Sequence, residues 1–189
     1  VAFAGVESTR ANRIVYAVDA SGSMASSLPF VKAELARSVA KLDPTQSFAV
    51  IVFRERLGGG ESVEALAAGT ALLSATPRAK GDLARWIAGV EPSGRSSTLA
   101  GLRAALNFRP DLVLLLTRNI RRSGKGAEGE AISSMLSALE RLNPRAAGGA
   151  RPVVIKVVQF VEDDPSGLMQ AIGEAHGDGP GSYRVVPVD

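Results

Sequence analysis

The sequence predicts an α/β domain: an open, mostly parallel β-sheet with helices on both faces and one short antiparallel edge strand. Three observations predict it. Residues 14–18, 48–53, 112–116 and 153–160 are dense in β-branched and other apolar residues, and each run is short enough to be a strand buried on both faces. The segments between them carry apolar residues at helical spacing, so strand and helix alternate as in βαβ units. Asp43-Pro44 and Asn143-Pro144 close two of these helices, because proline drives the residue before it out of the helical region.

Taken in order, residues 1–12 are expected as a lead-in and residues 13–189 as a single domain. The first strand lies in RIVYAVD, Arg13 to Asp19, and a helix over 29–42 follows. After strand 48–53, residues 62–66 stand between Gly58-Gly59-Gly60 and Gly69 with no intervening helix, which predicts the antiparallel edge strand. Helices are expected over 80–90, where Trp86 shares a packing face with Leu83 and Val90, and over 99–108. Strand 112–116, helix 131–142 and strand 153–160 come next. A last helix over 165–176 enters from Asp163-Asp164, with proline suited to its first turn, and a last strand covers 183–188. In such sheets ligands bind at the carboxyl ends of the strands. Asp19 falls there.

The whole chain narrows the chemistry. Its 189 residues suit one domain, and no apolar run is long enough to span a bilayer, so no membrane contact by this domain itself is expected. Zero cysteines exclude disulfides, thiolate metal sites and cysteine catalysis. A net charge of +3 with 5% aromatic residues, and no basic stripe, argues against nucleic-acid binding. Lys125 in GKG lacks the spacing of a phosphate loop, and no Gly-x-Ser-x-Gly elbow accompanies His176, the single histidine, which reads as helix-end capping. Val1, with no leading signal pattern, reads as a processed chain or an excised part of something longer. An extracytoplasmic domain of a membrane-anchored protein is one such setting, and the compartment stays open.

After the first strand, ASGSM completes an alternation of Asp19, Ser21 and Ser23. Gly22 permits a tight turn that converges their oxygens, and an all-oxygen set suits a hard cation such as Mg²⁺ or Mn²⁺, which keeps several waters. The bland reading is that the same residues cap and turn the chain ahead of the next helix.

IVYAVDASGSM, then FAVIVF, and later LVLLLT together resemble the von Willebrand factor type A domain, over roughly 13–189. The resemblance implies a Rossmann-like fold and a metal-ion-dependent adhesion site that opens with Asp-x-Ser-x-Ser. It also implies a threonine from a later loop and an aspartate from a Thr-Asp-Gly after the next strand, with a divalent cation recruiting an acidic side chain of a protein partner. Aligned without gaps on the bacterial pattern, Gly94-Arg95-Ser96 stands opposite Gly-Gly-Thr, which selects Ser96; the tighter spacing of animal members selects Thr98. Capping of the helix starting near Leu99 also accounts for either residue.

Where the family has its aspartate, this chain has Thr117-Arg118-Asn119. A guanidinium replaces a carboxylate. At ~4 Å and an effective dielectric of ~20, an Arg118–Asp19 pair is worth at most ~4 kcal/mol before desolvation. Arg118 is therefore expected to pair with Asp19, partly substitute for the cation and leave a degenerate site. The alternative sends Arg118 to solvent and leaves Asp19, Ser21, Ser23 and Ser96 to bind a metal weakly. Arg118, Arg121, Arg122 and Lys125 also suggest a patch for an anionic partner, or a solvated loop, with Glu162, Asp163 and Asp164 as an acidic counterpart or a helix entry. Three functions follow: a non-enzymatic interaction module using this rim, a scaffold with a vestigial rim, or a metal-assisted hydrolase. The last needs a general base, for which the strand ends offer Glu55 and the 162–164 cluster.

Overall fold

Seven residues, Arg13–Asp19, form the central strand, and all but the first are buried. The computed structural model describes residues 1–8, 11–67, 69–119 and 127–188. In chain order the elements are β1 (Ala2–Phe3), β2 (Val6–Glu7), β3 (Arg13–Asp19), α1 (Leu28–Ala40), β4 (Ser47–Glu55), β5 (Glu61–Ala65), β6 (Leu73–Ser74), α2 (Pro77–Ala88), α3 (Thr98–Asn107), β7 (Leu112–Thr117), α4 (Ala127–Leu142), β8 (Val154–Phe160), α5 (Leu168–His176) and β9 (Tyr183–Val186). Seven strands form one sheet in the order β5-β4-β3-β7-β8-β9, with β6 on the outer edge of β4 beside β5. Pairing is parallel from β4 through β9 and antiparallel at β5 and β6. The fold is thus the α/β sheet that the alternation predicts, with the expected antiparallel edge.

Alternation along β3 divides the core. Ile14, Tyr16 and Val18 face Val31 and Leu35 of α1 and Leu83 and Ile87 of α2, with Trp86 half-buried at the margin. Val15 and Ala17 face Leu102 of α3, Leu139 of α4 and Ile172 of α5. Tyr16 brings a hydroxyl into the first layer, where Ser38 Oγ lies 2.8 Å away and satisfies it. In the second layer α3 comes very close to the sheet: a Cβ on Gly101 would stand 2.3 Å from the Phe53 ring.

Local chemistry moves several boundaries. Helix α2 begins at Pro77, three residues before the expected start, because Thr76 Oγ1 accepts the Ala79 N–H at 3.2 Å. Helix α5 begins at Leu168 rather than 165, since Asp164 accepts the amides of Ser166 and Met169 and turns the segment into a cap. Residues 1–12 hold a hairpin whose two central residues, Ala4 and Gly5, both have positive φ. It seats Phe3, fully buried, 6.3 Å from the Tyr16 ring, and Glu34 of α1 accepts the Ala4 N–H. Among the described residues no helix is long and apolar enough to cross a membrane.

From β3 the chain passes through α1 to β4 on one side. It later returns through α3, on the opposite face, to β7 on the other side. The carboxyl ends of β3 and β7 therefore flank the switch point where such sheets open a crevice. Asp19 and Thr117 stand at its floor.

Candidate functional site

Asp19 ends β3 fully buried. Its Oδ2 accepts the Thr117 hydroxyl at 2.7 Å and its Oδ1 accepts the Ser21 N–H at 2.8 Å. The Ser21 and Ser23 hydroxyls lie 2.9 Å apart, and Ser23 Oγ donates to the carbonyl of Arg118 at 3.0 Å. Burial pushes the Asp19 carboxyl above its ordinary range, opposed by the Thr117 hydroxyl, the Ser21 amide and the hydroxyls of Ser96 and Ser21. A buried carboxylate held only by neutral donors remains short of positive charge.

Residues 91–97 carry Ser96 to this floor as a strap over the strand ends. Ser93 N–H donates to Ala20 O at 2.9 Å, and Gly22 N–H donates to Gly94 O at 3.0 Å. Glu55 and Arg95 exchange both backbone hydrogen bonds, at 2.7 and 3.1 Å. Gly94 has φ +68°, and a Cβ there would lie 1.8 Å from Glu55 O, so this turn requires glycine. Ser96 acts on the Asp19 carboxylate, while Thr98, at the start of α3, places its Oγ1 3.4 Å from Ser96 Oγ. Of the two loop candidates, Ser96 lowers the pKa of the carboxyl and Thr98 touches Ser96 rather than Asp19.

The expected Arg118–Asp19 pair does not form. Arg118 Nη2 pairs with Glu162 Oε1 at 3.3 Å, and Nη1 donates to Ser23 O and Ser26 Oγ at 3.2 and 3.3 Å. The Asp19 oxygens accept from Thr117 and Ser21 instead, and it is the Arg118 carbonyl that meets the Ser23 hydroxyl while the guanidinium points on to Ser23 O, Ser26 Oγ and Glu162. Among the described residues Asp19 has no ion-pair partner. The acidic counterpart divides its work: Glu162 meets Arg118, while Asp164 caps α5 and accepts from Asn119 Nδ2 at 2.9 Å. Arg121, Arg122 and Lys125 lie outside the described residues.

Above the floor is an open cleft of 470 Å³ lined by Ser21, Ser23, Ser96, Arg95, Arg118 and Asn119, among others. The described residues contain no group of three or more His, Asp or Glu side chains placed to hold a metal. The donor set is therefore one carboxylate with three hydroxyls, from Ser21, Ser23 and Ser96. It fits a hard, water-rich cation and not a zinc-type cage of nitrogen and sulfur ligands. Thr117 as a direct partner of Asp19, and Arg95 on the cleft wall, escape sequence reasoning. The first was readable only from strand register, and the second from an exposed arginine inside a glycine turn. His176 is buried beside the start of β8, with Nδ1 3.4 Å from Asn143 Nδ2. Burial, and then the charge of Arg151, push its pKa down to about 4, so it is a neutral packing residue and not a cationic helix cap.

No family model matches the sequence, and no curated protein does. Solved structures match along nearly the whole chain. A von Willebrand factor type A protein from Catenulispora acidiphila aligns with TM-score 0.64 at 16% identity, covering 94% of this chain and 38% of that one. The pilus adhesin SpaC of Lactobacillus rhamnosus GG, in its open conformation, aligns with TM-score 0.64 at 15% identity over 96% of this chain and 28% of its own. Proximal thread matrix protein 1 of the mussel byssus, with a zinc-occupied MIDAS motif, aligns with TM-score 0.52 at 16% identity over 95% and 44%. This chain therefore has the von Willebrand factor type A fold. It spans less than half the length of each of these three proteins.

Proposed function

We propose that the domain is a non-enzymatic protein-interaction module that presents the rim around Asp19 to an acidic side chain of another protein. The supporting observation is the floor itself: a fully buried carboxylate and three converging hydroxyls open into a cleft at the switch point of the sheet. The adhesin and matrix proteins among the structural neighbours favour adhesion or assembly, and an extracytoplasmic setting within a longer protein. A hydrolase is disfavoured, because two of its candidate general bases have other work: Glu162 pairs with Arg118 and Asp164 caps α5.

Asp19, Ser21, Ser23 and Ser96 would hold a Mg²⁺ or Mn²⁺ ion, which when bound offers an open coordination position to a carboxylate oxygen. The Arg118 guanidinium on the cleft wall, only partly neutralised by Glu162, weakens that binding without abolishing it. Calorimetric titration with Mg²⁺ or Mn²⁺ is expected to give roughly millimolar affinity, at the weak end for such oxygen sites. The Asp19→Ala variant is expected to show none. Micromolar binding by the wild type contradicts the weakened site. For the interaction itself, separate Asp19→Ala and Arg118→Ala baits are expected to lose captured protein relative to wild type. Unchanged capture by both is the outcome of a vestigial rim.

A further inference from the structure

One guanidinium on the cleft wall already holds a carboxylate of its own chain. Arg118 Nη2 contacts Glu162 Oε1 at 3.3 Å, with the arginine side chain 22% exposed and the glutamate 57%. Nη1 is bonded to Ser23 O and Ser26 Oγ, and Nε is buried with no hydrogen-bond partner among the described residues. Arg118 thus presents one fixed edge, and Glu162 covers it. Arg95 lines the same cleft, exposed, with its backbone pinned to Glu55 and no ion pair on its side chain among the described residues.

We propose that Arg118 and Arg95 form a carboxylate seat, occupied at rest by Glu162, and that a partner's aspartate or glutamate binds by displacing Glu162 without needing a divalent cation. This rests on the rim-binding reading above and names its chemistry. A guanidinium already fixed by its neighbours loses little freedom on binding. The pair it must exchange is exposed and made through a single contact, and such pairs are weak. Replacing one carboxylate by another keeps the charge of the wall unchanged, whereas a phosphate dianion adds charge above the buried Asp19. The serine floor offers an anion little: the Ser23 proton is spent on the Arg118 carbonyl, and Ser96 acts on Asp19. Recognition of the anion falls to the arginines.

The test is an NMR titration of the ¹⁵N-labelled chain with N-acetyl-aspartate N-methylamide, in low-salt buffer stripped of metals by chelating resin. Saturable shifts of the Arg118 and Arg95 Nε–H signals are expected. Glu162→Gln is expected to tighten the probe by about threefold and Arg95→Gln to weaken it about threefold, as for exposed ion pairs. Arg118→Gln is expected to weaken it about tenfold or more. Arg118→Lys, which keeps the charge and loses the fork, is expected to fall between, and Arg103→Gln on exposed α3 surface to change nothing. The proposal is overturned by the absence of saturable shifts, by affinity that Glu162→Gln leaves unchanged or lowers, or by inorganic phosphate outcompeting the probe. Shifts that appear only after Mg²⁺ is added overturn the cation-free seat and leave the rim-binding reading standing. The capture experiment judges that reading separately.

Discussion

Asp19 is a carboxylate kept where ionisation is disfavoured. Its two oxygens are satisfied by a hydroxyl and an amide, yet neither contributes a full charge, and burial dominates. The sign follows. Its folded pKa lies above the usual 3.8, so the folded protein holds the proton more tightly than the unfolded chain does. Its contribution to stability is full below 3.8 and is lost as pH rises through the raised pKa. In cation-free protein, Asp19→Asn is therefore expected to melt higher than wild type, with a larger gap at pH 7 than at pH 4 in thermal scans. A wild type that is the more stable at pH 7 contradicts this account. Asp19, Ser21 and Ser23 were legible as a group because they follow one another directly after a strand. Thr117 was not, since its bond to Asp19 joins residues 98 apart and depends on the two strands ending in register.

Of two elements outside the βα alternation, one places the site and the other closes the core. The 91–97 strap is pinned mainly by backbone bonds to Ala20, Gly22 and Glu55, with Arg54 Nη1 donating to Glu91 O at 2.6 Å, so its amino-acid types reveal little beyond the glycine. Gly94→Ala combines a positive φ with direct overlap on Glu55 O and is expected to cost about 3 kcal/mol or more in urea unfolding. The Ser96 amide resonance is expected to shift with it, which an intact strap forbids. The β1–β2 hairpin was invisible as structure because two-residue strands carry no periodicity, and residues 1–12 read only as a lead-in. Its Phe3 nevertheless reaches the core against Tyr16, and Phe3→Ala is expected to destabilise by about 3–5 kcal/mol in the same assay. A loss near zero is the outcome if the hairpin merely rests on the surface. Helices α2 and α5 show the same limit at their ends: a Thr-Pro cap lengthens one, and an aspartate with two amide partners shortens the other.

Across the whole molecule, a group far from the cleft in role contributes to the loss of stability on acidification. His176 is buried with a pKa near 4, below its ordinary 6.5, so the unfolded chain takes up the proton first. Its contribution is full above pH 6.5, erodes as pH falls toward 4, and is gone below that. Urea unfolding in the Asp19→Asn background, which removes the opposing titration, is expected to show this loss between pH 6.5 and 4. His176→Gln is expected to flatten it. The sequence by itself determined the alternation of strand and helix, the antiparallel edge and the place of Asp19 at a strand end, because local periodicity and turn chemistry specify those features. Only the tertiary structure decided which hydroxyl meets Asp19, that Thr117 completes its bonding, and that Arg118 turns to Glu162. Those outcomes depend on strand register, on a strap folded back across the sheet and on competition for two oxygens, and residue order along the chain encodes none of them locally.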